Sequence, residues 1–339
     1  MKIMYKKIGI IIMIMVILGM IYLSGPKPAV PIYDPTLPVV PKDPVQLVQY
    51  IQEKEKSFRI KPNNEARILW FNPAQPSKTA CSMVYLHGFS ASQQDGDPIH
   101  FNTARRYGCN LYLSRLDEHG LVTTDPLLKM TVAGLWKDAK EALSIGNALG
   151  NKVILISTST GSTLALKLAA EFPNDVAALI NLSPNVAIND PFVFMINNPW
   201  GLQFARLIKN GRFQAGTIKN REEKKYWYQA YRLEAVVQLQ NLLESTMHKL
   251  TFDQIRQPVL NLYYYKDEQQ QDSVVKVPAI LKMHQELATE QHNKRTIAIP
   301  NANTHTLGSG MHTGDLPTVE NAINKFVEEV LKLSPALNK

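Results

Sequence analysis

The sequence predicts an α/β fold, a mostly parallel sheet covered by helices on both faces. Three observations carry that prediction. Apolar, β-rich runs recur at residues 82–86, 110–113, 152–157, 177–182, 259–265 and 296–299. Most are followed by helical patterns, at 132–149, 162–171, 277–287 and 318–333, the first of them with Ala, Leu, Trp and Ile at helical spacing. Apolar residues make up 45% of the 339 and charged residues 19%, enough for a large core and too little charge for disorder. Strands that alternate with helices in this way pair in parallel and bury both faces.

The first element lies outside that alternation. Lys2, Lys6 and Lys7 precede an uninterrupted apolar run over residues 8–23. Its length, roughly 24 Å as a helix against a hydrocarbon core of ~30 Å, leaves a signal peptide and an uncleaved anchor both open. Tyr22-Leu23-Ser24-Gly25 is a poor small-x-small cleavage site, and no cysteine follows for lipoprotein processing. The reading is therefore a membrane anchor over 1–24, its lysines cytoplasmic and the remainder outside the membrane. The alternative is a secreted or periplasmic protein after cleavage. Residues 25–44 hold seven prolines and read as an extended spacer that lifts the domain off the membrane.

The domain proper is expected over 45–339. A short helix at 44–56 leads to residues 58–60 and 66–71, which flank Pro62-Asn63-Asn64 and suggest a β-hairpin. Between about 191 and 256 there is no convincing strand, only aromatics, charges and a helical stretch at 226–243, so this segment reads as a helical cap inserted beside the strand ends. Its Phe192, Phe194, Met195, Trp200, Phe204, Trp227 and Tyr228 either line a pocket or form the cap's own core.

Charge and cysteine content exclude several functions. Lys and Arg total 37 against 29 acidic residues, a net +8, and +3 of that lies in residues 1–44. The rest is dispersed, with no basic run longer than a pair, so nucleic acid is not an expected partner. Cys81 and Cys109 cannot build a disulfide framework or a four-ligand zinc site. Neighbouring strands bring them near each other, but the reading is two buried free thiols. Asp117, Glu118 and His119 match no zinc-helix spacing, and neither metal nor cofactor is expected.

The stretch most informative about chemistry is Val153-Ile154-Leu155-Ile156-Ser157-Thr158-Ser159-Thr160-Gly161-Ser162, an apolar strand that enters Ser-x-Ser-x-Gly and then a helix. This is the layout of a nucleophile elbow, a strained turn that presents a serine hydroxyl above the sheet edge, here Ser159. Met83-Val84-Tyr85-Leu86 ends in His87-Gly88-Phe89-Ser90, where the N–H of Phe89 and that of Thr160 are placed to form a two-donor oxyanion hole. His305 lies on a loop after the last strand and suits the general base, with His312 as competitor; His100, His119, His248, His284 and His292 read as surface or packing residues. The strand at 259–265 leads to two candidate acids, Asp267 immediately after it and Asp272 five residues on, heading Asp272-Ser273-Val274-Val275.

With these residues in place, the chain from about residue 44 to 333 resembles an α/β-hydrolase of the monoacylglycerol lipase and carboxylesterase group. His87-Gly88-Phe89-Ser90-Ala91-Ser92 resembles that group's oxyanion loop, Arg115-Leu116-Asp117-Glu118-His119-Gly120 its Arg/Leu-rich loop ending in His-Gly, and the insertion before Val259 its cap. The resemblance implies an eight-stranded sheet and hydrolysis of a lipid or acylglycerol-like ester through an acyl-enzyme. It also favours Asp272 as the acid, with Val274 and Val275 packed on the sheet to fix it. Ser157 replaces the elbow's first glycine, and Glu268-Gln269-Gln270-Gln271 lengthens the acid loop. A peptidase or thioesterase on the same triad, and an inert hydrolase fold used for binding, are the alternatives.

Overall fold

The computed structural model describes residues 2–216 and 221–336, so Met1, cap positions 217–220 and the end of the expected domain, 337–339, lie outside the described residues. Helix α1 (Lys2–Leu23) is the apolar N-terminal segment, and α2 (Pro44–Lys56) opens the domain. Asp43 caps α2, its side chain accepting from the N–H groups of Val45 and Gln46, with Pro44 at the first helical position where no N–H is needed. There follow β1 (Arg67–Leu69), β2 (Ser82–Leu86), α3 (Ile99–Arg106), β3 (Asn110–Leu113), α4 (Val132–Leu149), β4 (Val153–Thr158), α5 (Thr160–Glu171) and β5 (Val176–Leu182). The insertion holds α6 (Gly201–Ile208), β6 (Phe213–Ala215), α7 (Glu223–Tyr226), β7 (Ala230–Arg232) and α8 (Leu233–Thr246). The chain ends with α9 (Lys249–Phe252), β8 (Val259–Tyr263), α10 (Val277–Glu286), β9 (Lys294–Ala298) and α11 (Leu316–Glu329).

The main sheet runs β1-β3-β2-β4-β5-β8-β9 and is parallel except for β1, which pairs antiparallel with β3. Strands β2, β3, β4 and β8 are buried along their whole length, and their side chains divide with period two between two cores. Val84, Leu86, Val153 and Leu155 meet α4, α5, α8 and α10 through Trp136, Leu164, Leu242 and Met283. Met83, Tyr85, Ile154 and Ile156 face α3 and α11 through Ile99, Ile323 and Phe326.

Several expectations are corrected. The sheet has seven strands among the described residues, not eight. No hairpin forms at 58–71: Ile60 only bridges Leu121, while Arg67–Leu69 takes its partner from the distant β3, so long-range pairing overrides the local turn signal. The cap is not purely helical, since β6 and β7 form a two-stranded antiparallel ribbon and the expected helix at 226–243 begins only at Leu233. Cys81 and Cys109 are not free thiols but a disulfide. The parallel register that sets Ser82 opposite Asn110 also aligns the two preceding cysteines.

The proline-rich segment is a bound strap rather than a free spacer. Trp136 Nε1 and Lys140 Nζ on α4 both donate to the Asp34 carbonyl, at 3.0 Å each, and Lys140 also reaches the Asp34 carboxylate at 2.5 Å and the Thr36 carbonyl at 2.7 Å. The Tyr33 hydroxyl meets Ser245 on α8 at 2.6 Å, and Tyr33, Leu37 and Val40 pack against the core. Prolines keep this stretch extended, and the polar groups it needs are supplied by α4 and α8.

Candidate active site

The site gathers at the carboxyl ends of β2, β4, β5, β8 and β9, where parallel α/β sheets place their ligands. At the end of β4 the chain turns sharply into α5, and Ser159 takes φ 53°, ψ −116°, a conformation that non-glycine residues rarely hold. Its backbone is fixed on both sides: its N–H donates to Leu182 on β5, and its carbonyl accepts from Ser162, Thr163 and Asn185. Gly161 is required by the same turn, because a Cβ there would lie 1.9 Å from the Leu86 carbonyl of β2. Ser157, the departure from the usual glycine, is accommodated. Its hydroxyl meets Ser162 at 2.9 Å and Asn181 at 3.0 Å, opening a buried polar chain to Asn261 and His284.

Asp272 and His305 are brought together. His305 Nδ1 lies 2.7 Å from Asp272 Oδ2, and Asp272 Oδ1 accepts from the N–H groups of Val274 and Val275 at 2.8 and 3.1 Å. Val275 is buried but Val274 is exposed, so backbone donors rather than two packed side chains fix the carboxylate. Burial pushes Asp272 upward, but the facing His305 and the backbone donors outweigh it and hold the carboxyl below its ordinary value. Burial likewise pushes His305 down, and the charge and hydrogen bond of Asp272, with a smaller contribution from Asp95, raise it above the ordinary imidazole value. An Nδ1–H given to Asp272 leaves Nε2 as the basic nitrogen. Among the described residues no hydrogen bond joins Ser159 to His305, and catalytic pairs of this kind commonly tighten only on substrate.

Asp267 and His312 lie elsewhere. Asp267 caps its own exposed loop, accepting from the N–H groups of Gln269 and Gln270. His312 meets Thr306 at 2.8 Å, and its ring lies beside Trp227, 4.8 Å between centroids, against the cap.

The N–H groups of Phe89 and Thr160 have no acceptor among the described residues, as a receptive pair of donors requires. Ser90 N–H is instead held by His119 Nε2 and Leu116 N–H by His87 Nε2, so two buried imidazoles act as fixed acceptors under the loop. Burial lowers His87 to about 4 and lowers His119 well below its ordinary value, keeping both neutral. The cap closes over this loop. Tyr228 N–H donates to the Ser90 carbonyl at 3.0 Å, and Tyr231 meets the Phe89 ring edge-on at 4.9 Å. Trp227 and Tyr228 are therefore buried cap-to-loop contacts, whereas Phe192, Phe194, Met195, Trp200 and Phe204 are exposed.

Asp95 was missed by sequence reasoning. Its Oδ2 accepts from Gly88 N–H at 2.8 Å, and its Oδ1 from the Tyr85 hydroxyl at 2.5 Å, which itself meets Thr158 at 2.7 Å. A Cβ on Gly88 would lie 2.9 Å from Asp95 Oδ2 and 3.3 Å from Ser159 Cβ, so a second carboxyl sits beside the elbow. Burial pushes it up to about 7, against the pull of its donors and of His305. No sequence signal marked it, because Gln93-Gln94-Asp95-Gly96-Asp97 has the composition of a solvated turn.

The strand order, the cap and the elbow at the end of β4 define the α/β-hydrolase fold. Solved structures agree. One from a study of the metagenome-derived lipolytic enzymes LipS and LipT aligns with a TM-score of 0.63 at 16% identity, covering 80% of this chain and all of that one. A soluble variant of monoglyceride lipase from Saccharomyces cerevisiae aligns at 0.58 and 12%, covering 79% and 91%. The monoacylglycerol lipase of Paleococcus ferrophilus aligns at 0.52 and 14%, covering 76% and 98%. No family model matches the chain, and no curated protein matches it in sequence.

Proposed function

We propose that the protein is a serine hydrolase of carboxylic esters, with Ser159 as nucleophile, His305 as general base and Asp272 as the acid that orients it. The observation that carries this reading is the Asp272–His305 pair, at the same sheet edge as a serine held at φ 53° on the elbow after β4. In the mechanism, His305 Nε2 takes the Ser159 proton as Oγ attacks the ester carbonyl. The Phe89 and Thr160 N–H groups bind the oxyanion, and the imidazolium returns the proton to the leaving alcohol. Water then repeats the sequence on the acyl-enzyme. Lipid or acylglycerol-like substrates are favoured by the lipolytic structures that share the fold.

The domain organisation follows as part of the same proposal: an anchor over 1–24, a strap over 25–44 and a hydrolase domain over 45–339 with its cap at about 191–256. α1 carries a stretch, Tyr5–Leu23, long and apolar enough to cross a membrane and wholly unburied. The disulfide supports an extracytoplasmic catalytic domain, since such bonds persist in oxidising compartments. The test compares p-nitrophenyl ester turnover by wild type and Ser159→Ala, with matched thioester and peptide substrates alongside. Loss of ester turnover by several orders of magnitude is expected. Undiminished turnover in the variant contradicts the assignment, and preference for a thioester or peptide moves the reading to that class.

A further inference from the structure

Asp95 enters the site from a turn that the mechanism does not use. The short 3₁₀ turn Gln93–Gly96 carries it, and it is 1% exposed. Burying a carboxyl is costly, and the chain makes room for this one. A Cβ on Gly96 would lie 2.4 Å from the Tyr85 hydroxyl, so the turn comes down on that buried ring only because residue 96 is glycine.

The two carboxyl oxygens tie separate parts of the site together. Oδ2 accepts from Gly88 N–H on the oxyanion loop at 2.8 Å. Oδ1 meets the Tyr85 hydroxyl at 2.5 Å, and that hydroxyl meets Thr158, the residue before Ser159, at 2.7 Å. The loop of His305 is laid on the same turn. Gly310 N–H donates to the Asp97 carbonyl at 2.8 Å, and a Cβ on Gly308 would lie 3.2 Å from the Asp95 carbonyl.

The bond to Gly88 matters because of the peptide that follows it. Phe89 N–H shares a trans peptide with the Gly88 carbonyl and so points the opposite way. That carbonyl is held by His87 Nδ1 at 2.9 Å and by Ala91 N–H at 3.4 Å, and Leu116 N–H on His87 Nε2 leaves the proton on Nδ1. The N–H side of residue 88 is held by Asp95. Glycine has no Cβ to restrict its backbone, so both holds keep the next donor aimed. A donor to a developing oxyanion owes its effect to being fixed beforehand.

We propose that Asp95 is a positioning residue of the oxyanion hole, which fixes the Gly88 peptide so that Phe89 N–H stays aimed and ties that loop to the elbow through Tyr85 and Thr158. The proposal rests on the reading of Ser159 as nucleophile. Burial fits the role, because the carboxyl keeps its proton up to about 7 and a neutral acid sets no charge against the oxyanion. The neutral acid accepts from Gly88 through one oxygen and donates to Tyr85 from the other. Asparagine reproduces that pattern and alanine removes it.

The experiment compares wild type with Asp95→Ala, Asp95→Asn and Tyr85→Phe on a p-nitrophenyl ester, with rates normalised to sites titrated by a fluorophosphonate. Inhibition by a matched trifluoromethyl ketone is measured alongside, since its adduct with the serine places an oxyanion in the hole. Asp95→Ala is expected to lower kcat about 10²-fold, with KM changed less than about threefold and the ketone weakened in parallel. Asp95→Asn is expected to recover at least about tenfold of that loss. Tyr85→Phe keeps the Gly88 acceptor and breaks only the tie to Thr158, so kcat is expected to fall about tenfold at constant KM. Wild-type kcat in Asp95→Ala, an equal loss in Asp95→Asn, or a loss of kcat with undiminished ketone affinity overturns the proposal. Where Asp95→Ala does not fold, unchanged kcat in Tyr85→Phe overturns it. Turnover that survives Ser159→Ala overturns the nucleophile reading itself, and the proposal with it.

Discussion

At the scale of single residues, two carboxyls beside the same histidine do opposite things. Asp272 is held charged by His305 and two backbone donors, whereas Asp95 is pushed by burial to about 7 although it touches only hydrogen-bond donors. An aspartate that titrates near ~3.9 when unfolded and about 7 when folded binds more protons in the native state between those values, so stability falls as pH rises through that window. Asp95→Asn keeps an acceptor for Gly88 N–H and removes the charge. The variant is expected to gain a few kcal/mol at pH 8 and little at pH 4, read from urea midpoints at the two values. Equal changes at both would show that the carboxyl carries no such penalty. Asp272→Asn is expected to leave the fold intact and cut kcat by about 10⁴, because Asn stabilises the wrong imidazole tautomer, while Asp267→Asn is expected to be near neutral. The reverse ranking in ester assays would reassign the acid. The raised His305 also places the acid limb of kcat/KM above the ordinary ~6.5, since the base must be neutral to act. A limb below that value would contradict the pairing.

At the scale of elements, what was legible in the sequence is what local pattern controls. The elbow could be read because a buried strand, a small residue and a helix must follow one another in sequence. His305 could be singled out because it follows an apolar strand, whereas the same rule left Asp267 and Asp272 both open and the family resemblance favoured Asp272. The hairpin expected at 58–71 failed because β1 is chosen by β3, some forty residues away, and the cap ribbon was missed because three-residue strands such as Phe213–Ala215 carry too little alternation to notice. The disulfide was hidden for a related reason. Only the register of β2 on β3 aligns Cys81 with Cys109, and spacing alone does not contain it. Its 28-residue separation gives a loop-closure contribution of about 3–4 kcal/mol. The double variant Cys81→Ser/Cys109→Ser should lose that much in urea unfolding while retaining the native circular dichroism spectrum. An unchanged midpoint would mean the crosslink does not constrain the unfolded chain.

At the scale of the whole molecule, a hydrolase-fold domain, a bound strap and an apolar helix form one arrangement. Deletion of residues 1–24 removes the apolar helix but leaves the strap contacts of Ala29, Tyr33, Asp34 and Thr36, so the truncated chain should fold, remain active on soluble esters and leave the membrane pellet on a high-salt wash. Retention in the pellet after that wash would mean that the domain itself holds the membrane. The central claim, however, is that this assembly presents one activated serine, and the most direct measurement is fluorophosphonate labelling of the full-length protein followed by peptide mass spectrometry. The account predicts a single adduct, on Ser159, which is lost in His305→Ala although the serine is still present. No adduct, or an adduct on Ser157 or Ser162 in its place, would contradict it.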